Sequence, residues 1–141
     1  MRRLEVTKMK ITLVGSGYVG MSLAVLLARH NDVTILDINA KRVDLINQGQ
    51  STIVDAEISH FLATESLSLK ATLDEQKAYE TAEFAVVATP TDYDPATNYF
   101  NTTSVDSVVA AALAANQQLA VVIKSTIPVG HTKKLQMAHR S

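Results

Sequence analysis

There is no cysteine among the 141 residues. No disulfide can hold the chain together, in keeping with a cytoplasmic location where thiols stay reduced, and no residue can supply a thiolate. Neither sign of charge dominates: 13 Lys and Arg stand against 14 Asp and Glu, a formal net charge of -1. This balance gives no electrostatic reason to expect nucleic acid or a membrane surface as a partner. Long hydrophobic runs are also missing, and none approaches the roughly 20 residues that cross a bilayer. The basic start, Met1-Arg2-Arg3-Leu4-Glu5-Val6-Thr7-Lys8, lacks the apolar centre of a signal peptide. It reads as an extension, residues 1–8, ahead of a second potential initiator, Met9. The sequon Asn101-Thr102-Thr103 is accordingly expected to have no role in glycosylation. His30, His60, His131 and His139 have no spacing that converges on a metal, so no metal site is expected and all four read as surface or loop residues.

Glycine is scarce too, with five in the whole chain, yet three of them fall in one hexapeptide. The short apolar strand Ile11-Thr12-Leu13-Val14 runs into Gly15-Ser16-Gly17-Tyr18-Val19-Gly20, then a helical stretch, then a second strand ending in Asp37. Each part of this dinucleotide fingerprint has a mechanical reason. Gly15 permits the tight turn, Gly17 lets a pyrophosphate approach the backbone, and Gly20 lets the helix settle against the sheet. Amides at the helix start carry partial positive charge and face the phosphates. Asp37 stands twenty residues after Gly17, where a carboxylate can accept both hydroxyls of an adenosine ribose. A strand–helix turn with glycines can be purely structural. Here the preceding strand, the following helix and the acid at the right distance argue for the binding function. Ala24 and Ala28 extend the Gly20 stripe at a spacing of four, a narrow helix face suited to close packing.

Strand and helix alternate through the remainder. Residues 33–36, 84–88 and 119–123 are nearly continuous apolar runs, as in parallel strands covered on both faces, whereas 67–70 alternates like an edge strand. Helices are expected at 40–48, ending at a Gly49 cap, at 55–65 and 74–81 behind N-capping Asp55 and Asp74, and at 102–117 with Val105, Val108, Val109, Ala112 and Leu113 on one face. A weaker one is expected near 131–139. The expected fold is α/β, a doubly wound, Rossmann-like parallel sheet over residues 9–141, stopping before a sixth strand. Ligands of such sheets sit at the carboxyl ends of the strands. The glycine turn, Asp37, Thr89-Pro90-Thr91 and Ser125-Thr126 should therefore line one crevice.

Three segments resemble the NAD-binding domain of the UDP-glucose/GDP-mannose dehydrogenase family, its bacterial UDP-glucose 6-dehydrogenases most closely. They are residues 9–24, the loop Ala88-Thr89-Pro90-Thr91-Asp92-Tyr93-Asp94-Pro95 with Thr97-Asn98-Tyr99-Phe100, and the loop Ile123-Lys124-Ser125-Thr126-Ile127-Pro128-Val129-Gly130. Ser51-Thr52-Ile53-Val54-Asp55 also fits. The resemblance implies an enzyme that oxidises UDP-glucose to UDP-glucuronate with two NAD+. It also implies homo-oligomers joined through a long helix, and a cysteine nucleophile. Nucleophile, lysine and acidic partners belong to a later part of such enzymes, so this chain by itself is expected to be inactive.

By the same resemblance, Gly15, Ser16, Gly17, Tyr18, Val19 and Gly20 hold the pyrophosphate, and Asp37 and Arg42 lie at the adenosine ribose. Thr91 and Thr126 touch the nicotinamide side, and Thr126 also orients a catalytic water. Arg42 could instead be a solvated helix charge, and Thr126 a turn-capping hydroxyl. Asp37 repels a 2′-phosphate, which favours NAD over NADP. Pro90 and Pro128 shape loops; Asp92 and Asp94 are read as turn-forming. Tyr93, Tyr99 and Phe100 either pack the loop or shape a sugar pocket. The alternatives are a non-catalytic dinucleotide-binding fragment, or another nucleotide-sugar dehydrogenase. A hydroxyacid or 6-phosphogluconate dehydrogenase would share the glycine turn but leave the two long loops unexplained.

Overall fold

The β-branched and apolar runs pair as parallel strands because each is flanked by a helix long enough to return the chain to the same edge. The computed structural model describes residues 8–65, 67–89, 92–94, 96, 99–101, 103–125 and 130–139. Five strands, β1 (Lys10–Val14), β2 (Asp32–Leu36), β3 (Leu69–Thr72), β4 (Phe84–Val87) and β7 (Ala120–Ile123), form one parallel sheet in the order β3-β2-β1-β4-β7. Its helices are α1 (Tyr18–Ala28), α2 (Ala40–Asn47), α3 (Ala56–Thr64), α4 (Glu75–Glu80), α5 (Thr103–Ala115) and α6 (His131–Ala138). This is the expected doubly wound arrangement, with β1 at its centre and the chain reversing direction across the sheet between β3 and β4.

Alternation along β1 feeds both faces. Ile11 and Leu13 join α1, α2 and α3 in one core with Met21, Ala24, Val25, Val43, Ile46 and Ile58. Val14 turns the other way, into a second core with Leu36, Ala85 and the helix residues Ala78, Tyr79 and Ala112. Ala24 and Ala28 are 0% and 2% exposed, so the small-residue stripe does bring α1 close to the strands. Thr12 shares the second face; its buried hydroxyl donates to the Ala78 carbonyl of α4 at 2.5 Å. The capping expectations also hold: Asp55 accepts from the Ile58 amide and Asp74 from the Lys77 amide. Gly49, just past α2, has the left-handed φ of +78° that ends a helix without a Cβ penalty.

Three expectations change. The edge strand β3 lies two residues further on than the alternation at 67–70 indicates. Its parallel register with β2 pairs Val33 with Leu69 and Leu36 with Thr72, and the ladder outweighs local pattern. The segment read as a turn-forming loop contains instead an antiparallel ribbon, β5 (Asp92–Asp94) with β6 (Tyr99–Asn101), pairing Asp92 with Asn101. Asp92 and Asp94 are thus strand residues, paired with Asn101 and Tyr99. The apolar run in β7 is likewise not buried on both faces: Val122 is 42% exposed, since β7 lies at the sheet edge. Among the described residues no helix is long and apolar enough to cross a membrane.

Candidate functional site

The carboxyl ends of β1, β2 and β4 meet at Gly15. Its amide donates to the Leu36 carbonyl at 2.9 Å, and the Ala88 amide donates to Val14 beside it. Gly15 has a φ of +103°, and a Cβ there would lie 2.7 Å from the Ala88 carbonyl oxygen. Only glycine fits this crossing point. The absent side chain of Gly20 makes room chiefly for the carbonyl of Gly15 in its own turn, so Gly20 packs the turn more than the sheet. Gly17 is different. A Cβ there would meet no protein atom within 4 Å, which leaves open space beside the first turn of α1.

That helix opens at Gly17 with no side-chain cap and no acid in its first turn. By contrast α2, α3 and α4 are capped by Asn39, Asp55 and Asp74. Free N–H groups and the positive end of the helix dipole therefore face the opening over Gly17. Tyr18 and Val19 line its rim, 67% and 45% exposed.

Asp37 stands on the same side as this turn. Its Oδ2 accepts the Ser16 hydroxyl at 2.5 Å, and its Oδ1 accepts the Asn39 amide at 2.8 Å. The Arg42 guanidinium, on a side chain 43% exposed, lies 3.9 Å from Oδ2. A carboxylate has about four acceptor positions, and Asp37 fills two of them with these hydrogen bonds. Ile38 follows at 99% exposure, an apolar side chain presented beside that acid. Thr52, on the loop before α3, donates its hydroxyl to the Ser16 carbonyl at 2.5 Å.

The ends of β4 and β7 are joined to each other. The Ser125 hydroxyl donates to the Thr89 carbonyl at 2.6 Å, and the Lys124 and Ser125 amides both donate to Val87. Thr91, Thr126, Pro90 and Pro128 lie outside the described residues. His131 departs from the surface reading: its side chain is 13% exposed, and Nε2 lies 2.6 Å from Oδ1 of Asp106 on α5. Among the described residues no group of His, Asp or Glu could hold a metal ion.

Sequence reasoning thus found the turn, the acid and Ser125 but missed Asn39, Thr52, the bond from Ser125 to Thr89 and the His131–Asp106 pair. Asn39 carried a legible signal, a polar residue one position before a helix. The other contacts span 25 to 36 residues of chain and left no local pattern. The arrangement has the chemistry a dinucleotide needs: an uncapped helix start over a bare Gly17 suits a diphosphate, and a carboxylate beside it suits a vicinal diol.

Known proteins place the chain. The family model for the NAD-binding domain of the UDP-glucose/GDP-mannose dehydrogenase family matches residues 9–141. A UDP-glucose 6-dehydrogenase of Streptococcus pneumoniae is 44% identical over 128 residues, covering 91% of this chain and 32% of that protein. One from Campylobacter jejuni is 42% identical over 130 residues, covering 91% and 33%. The chain therefore spans about a third of the length of these relatives. The crystal structure of GDP-mannose dehydrogenase from Pseudomonas aeruginosa superposes with a TM-score of 0.81 at 25% identity, over 93% of this chain and 31% of that one. With the strand order, the glycine turn and the neighbouring acid all in agreement, the chain belongs to the UDP-glucose/GDP-mannose dehydrogenase family and carries its NAD-binding domain.

Proposed function

We propose that this chain is the cofactor-binding part of a UDP-glucose 6-dehydrogenase, which oxidises UDP-glucose to UDP-glucuronate with two NAD+ in succession. The substrate assignment is supported by two relatives above 40% identity, both UDP-glucose 6-dehydrogenases. Relatives near 32% identity include an NDP-N-acetyl-D-galactosaminuronic acid dehydrogenase, so a different nucleotide sugar is the runner-up. Residues 9–141 form the domain and residues 1–8 an extension before it. The full enzyme is a homo-oligomer acting in the cytoplasm.

In this domain Gly15, Ser16, Gly17, Tyr18, Val19 and Gly20 hold the pyrophosphate of NAD through backbone amides. Asp37 accepts the adenosine ribose hydroxyls, Arg42 flanks them, and Ile38 offers an apolar surface beside the ribose. Thr91 and Thr126 contact the nicotinamide side, and Thr126 positions water. Bound NAD accepts hydride; the chain's own residues bind it, orient it and exclude NADP by the charge of Asp37. The family's thiolate step falls outside these 141 residues, which contain no cysteine. A second reading is a non-catalytic dinucleotide-binding module.

The observation that carries the cofactor site is the Ser16–Asp37 contact beside the open Gly17. Titrating the purified chain with NADH and NADPH, followed by nicotinamide fluorescence, tests it: saturable binding of NADH and much weaker binding of NADPH are expected. Equal binding, or none, rejects the site. Addition of UDP-glucose and NAD+ should give no NADH. Turnover by the chain alone would reject the division of labour.

A further inference from the structure

The loop between α2 and α3 reaches back to the glycine turn through one side chain. Thr52 is half-buried, and its hydroxyl donates to the Ser16 carbonyl at 2.5 Å across 36 residues of chain. The loop that carries it is itself fixed. The Ser51 hydroxyl donates to the Ile53 carbonyl at 2.7 Å and accepts the Ile53 amide at 3.1 Å. Ile53 packs against the core beneath α1, and Asp55 caps α3 immediately afterwards. Thr52 is therefore presented from a braced turn and not from a swinging arm.

The atom it holds matters because of peptide geometry. The carbonyl of Ser16 and the N–H of Gly17 belong to one planar unit, and no peptide bond here is cis. In a trans peptide these two groups point in opposite directions. Fixing the carbonyl fixes the N–H. The same residue is held again by its side chain, through the Asp37 carboxylate, and Ser16 is 0% exposed. Gly17 itself has no Cβ to restrict rotation of that peptide, and its surroundings are open. An unheld Ser16–Gly17 peptide would be free to turn its N–H away from a phosphate at little cost.

We infer that Thr52 is a positioning residue for diphosphate binding: its hydroxyl fixes the Ser16–Gly17 peptide so that the Gly17 N–H faces the pyrophosphate. Thr52 acts through Ser16 and touches no phosphate itself. This rests on the cofactor site proposed above, and the two fail differently in the experiment.

The experiment uses the 141-residue chain with Thr52→Val, which keeps the shape and removes the hydroxyl, and Thr52→Ser, which restores it. Thr52→Ala serves in place of the valine variant if the latter does not fold. NADH affinity is read by fluorescence titration, and the Gly17 amide by 15N-resolved NMR of the ligand-free protein. NADH binding should weaken about fivefold in Thr52→Val, the loss one hydrogen bond commonly carries. Thr52→Ser should remain within about twofold of the parent, since it keeps that bond. The Gly17 amide resonance should move in the valine variant and stay in place in the serine variant. Unchanged NADH affinity in Thr52→Val, or an equal loss in Thr52→Ser, overturns the role of Thr52 while leaving the site intact. Failure of the parent chain to bind NADH overturns both.

Discussion

The hydroxyl of Ser16 and the carboxylate of Asp37 are 2.5 Å apart, joining the first strand–helix turn to the end of the second strand. Ser16 is fully buried and Asp37 is 9% exposed. One hydrogen bond thereby sets the distance between the glycine turn and the carboxylate proposed to meet the ribose. It also fixes the orientation of the Asp37 carboxylate.

Asp37→Asn tests the charge directly, because it keeps the size and an acceptor oxygen. NADH affinity should fall about tenfold and the preference for NADH over NADPH should narrow, since the repulsion of a 2′-phosphate is gone. Parallel titrations with the two dinucleotides measure this. An unchanged ratio would mean that Asp37 does not face the ribose.

Gly15 and Gly17 should separate stability from binding. Gly15→Ala forces a Cβ against the Ala88 carbonyl at a φ of +103°, and should cost about 2–4 kcal/mol in thermal or urea unfolding. Gly17→Ala meets nothing in the protein and has a φ of -77°. Its melting temperature should therefore stay where it is, while NADH binding falls by more than about tenfold as the methyl occupies the phosphate's approach. Normal NADH binding by Gly17→Ala would count decisively against the site.

The His131–Asp106 bond joins the start of α6 to the first turn of α5. The Ser125–Thr89 bond separately ties the end of β7 to the end of β4. His131→Ala should destabilise the chain by about 1–2 kcal/mol. A double-mutant cycle with Asp106→Asn in urea should show that the two losses do not add. Strict additivity would show that the pair contributes no direct coupling.

Tyr79 gives a prediction in alkali. Its phenol is buried, and burial, assisted by Glu75, pushes its pKa up from 10.0 to about 12. Between those values the unfolded chain releases the proton while the folded chain retains it. Stability therefore falls as pH rises through this window, by up to roughly 2 kcal/mol. Unfolding at a series of pH values from 9 upwards should show the slope, and Tyr79→Phe should lack that part of it.

Local rules carried much of the architecture. A turn that needs glycine at 15, 17 and 20 announces itself in any sequence, and so do capping aspartates at 55 and 74, because each depends on neighbours a few residues away. Strand β3 was misplaced by two residues because its limits are set by pairing with β2, a partner more than thirty positions distant. The ribbon of β5 and β6 was invisible because three-residue strands have too little pattern to separate them from a loop.

Sequence by itself determined that this chain folds as a parallel α/β domain with a dinucleotide turn, since periodicity, glycine placement and an acid at a fixed interval are properties of the linear chain. Tertiary structure alone decided which side chains hold that turn in its working shape. Thr52, Ser16, Asp37 and Arg42 come together only when α1, α2 and the loop before α3 pack on the same face of the sheet, and a hydrogen bond between residues 36 apart exists only once that packing has brought them within reach.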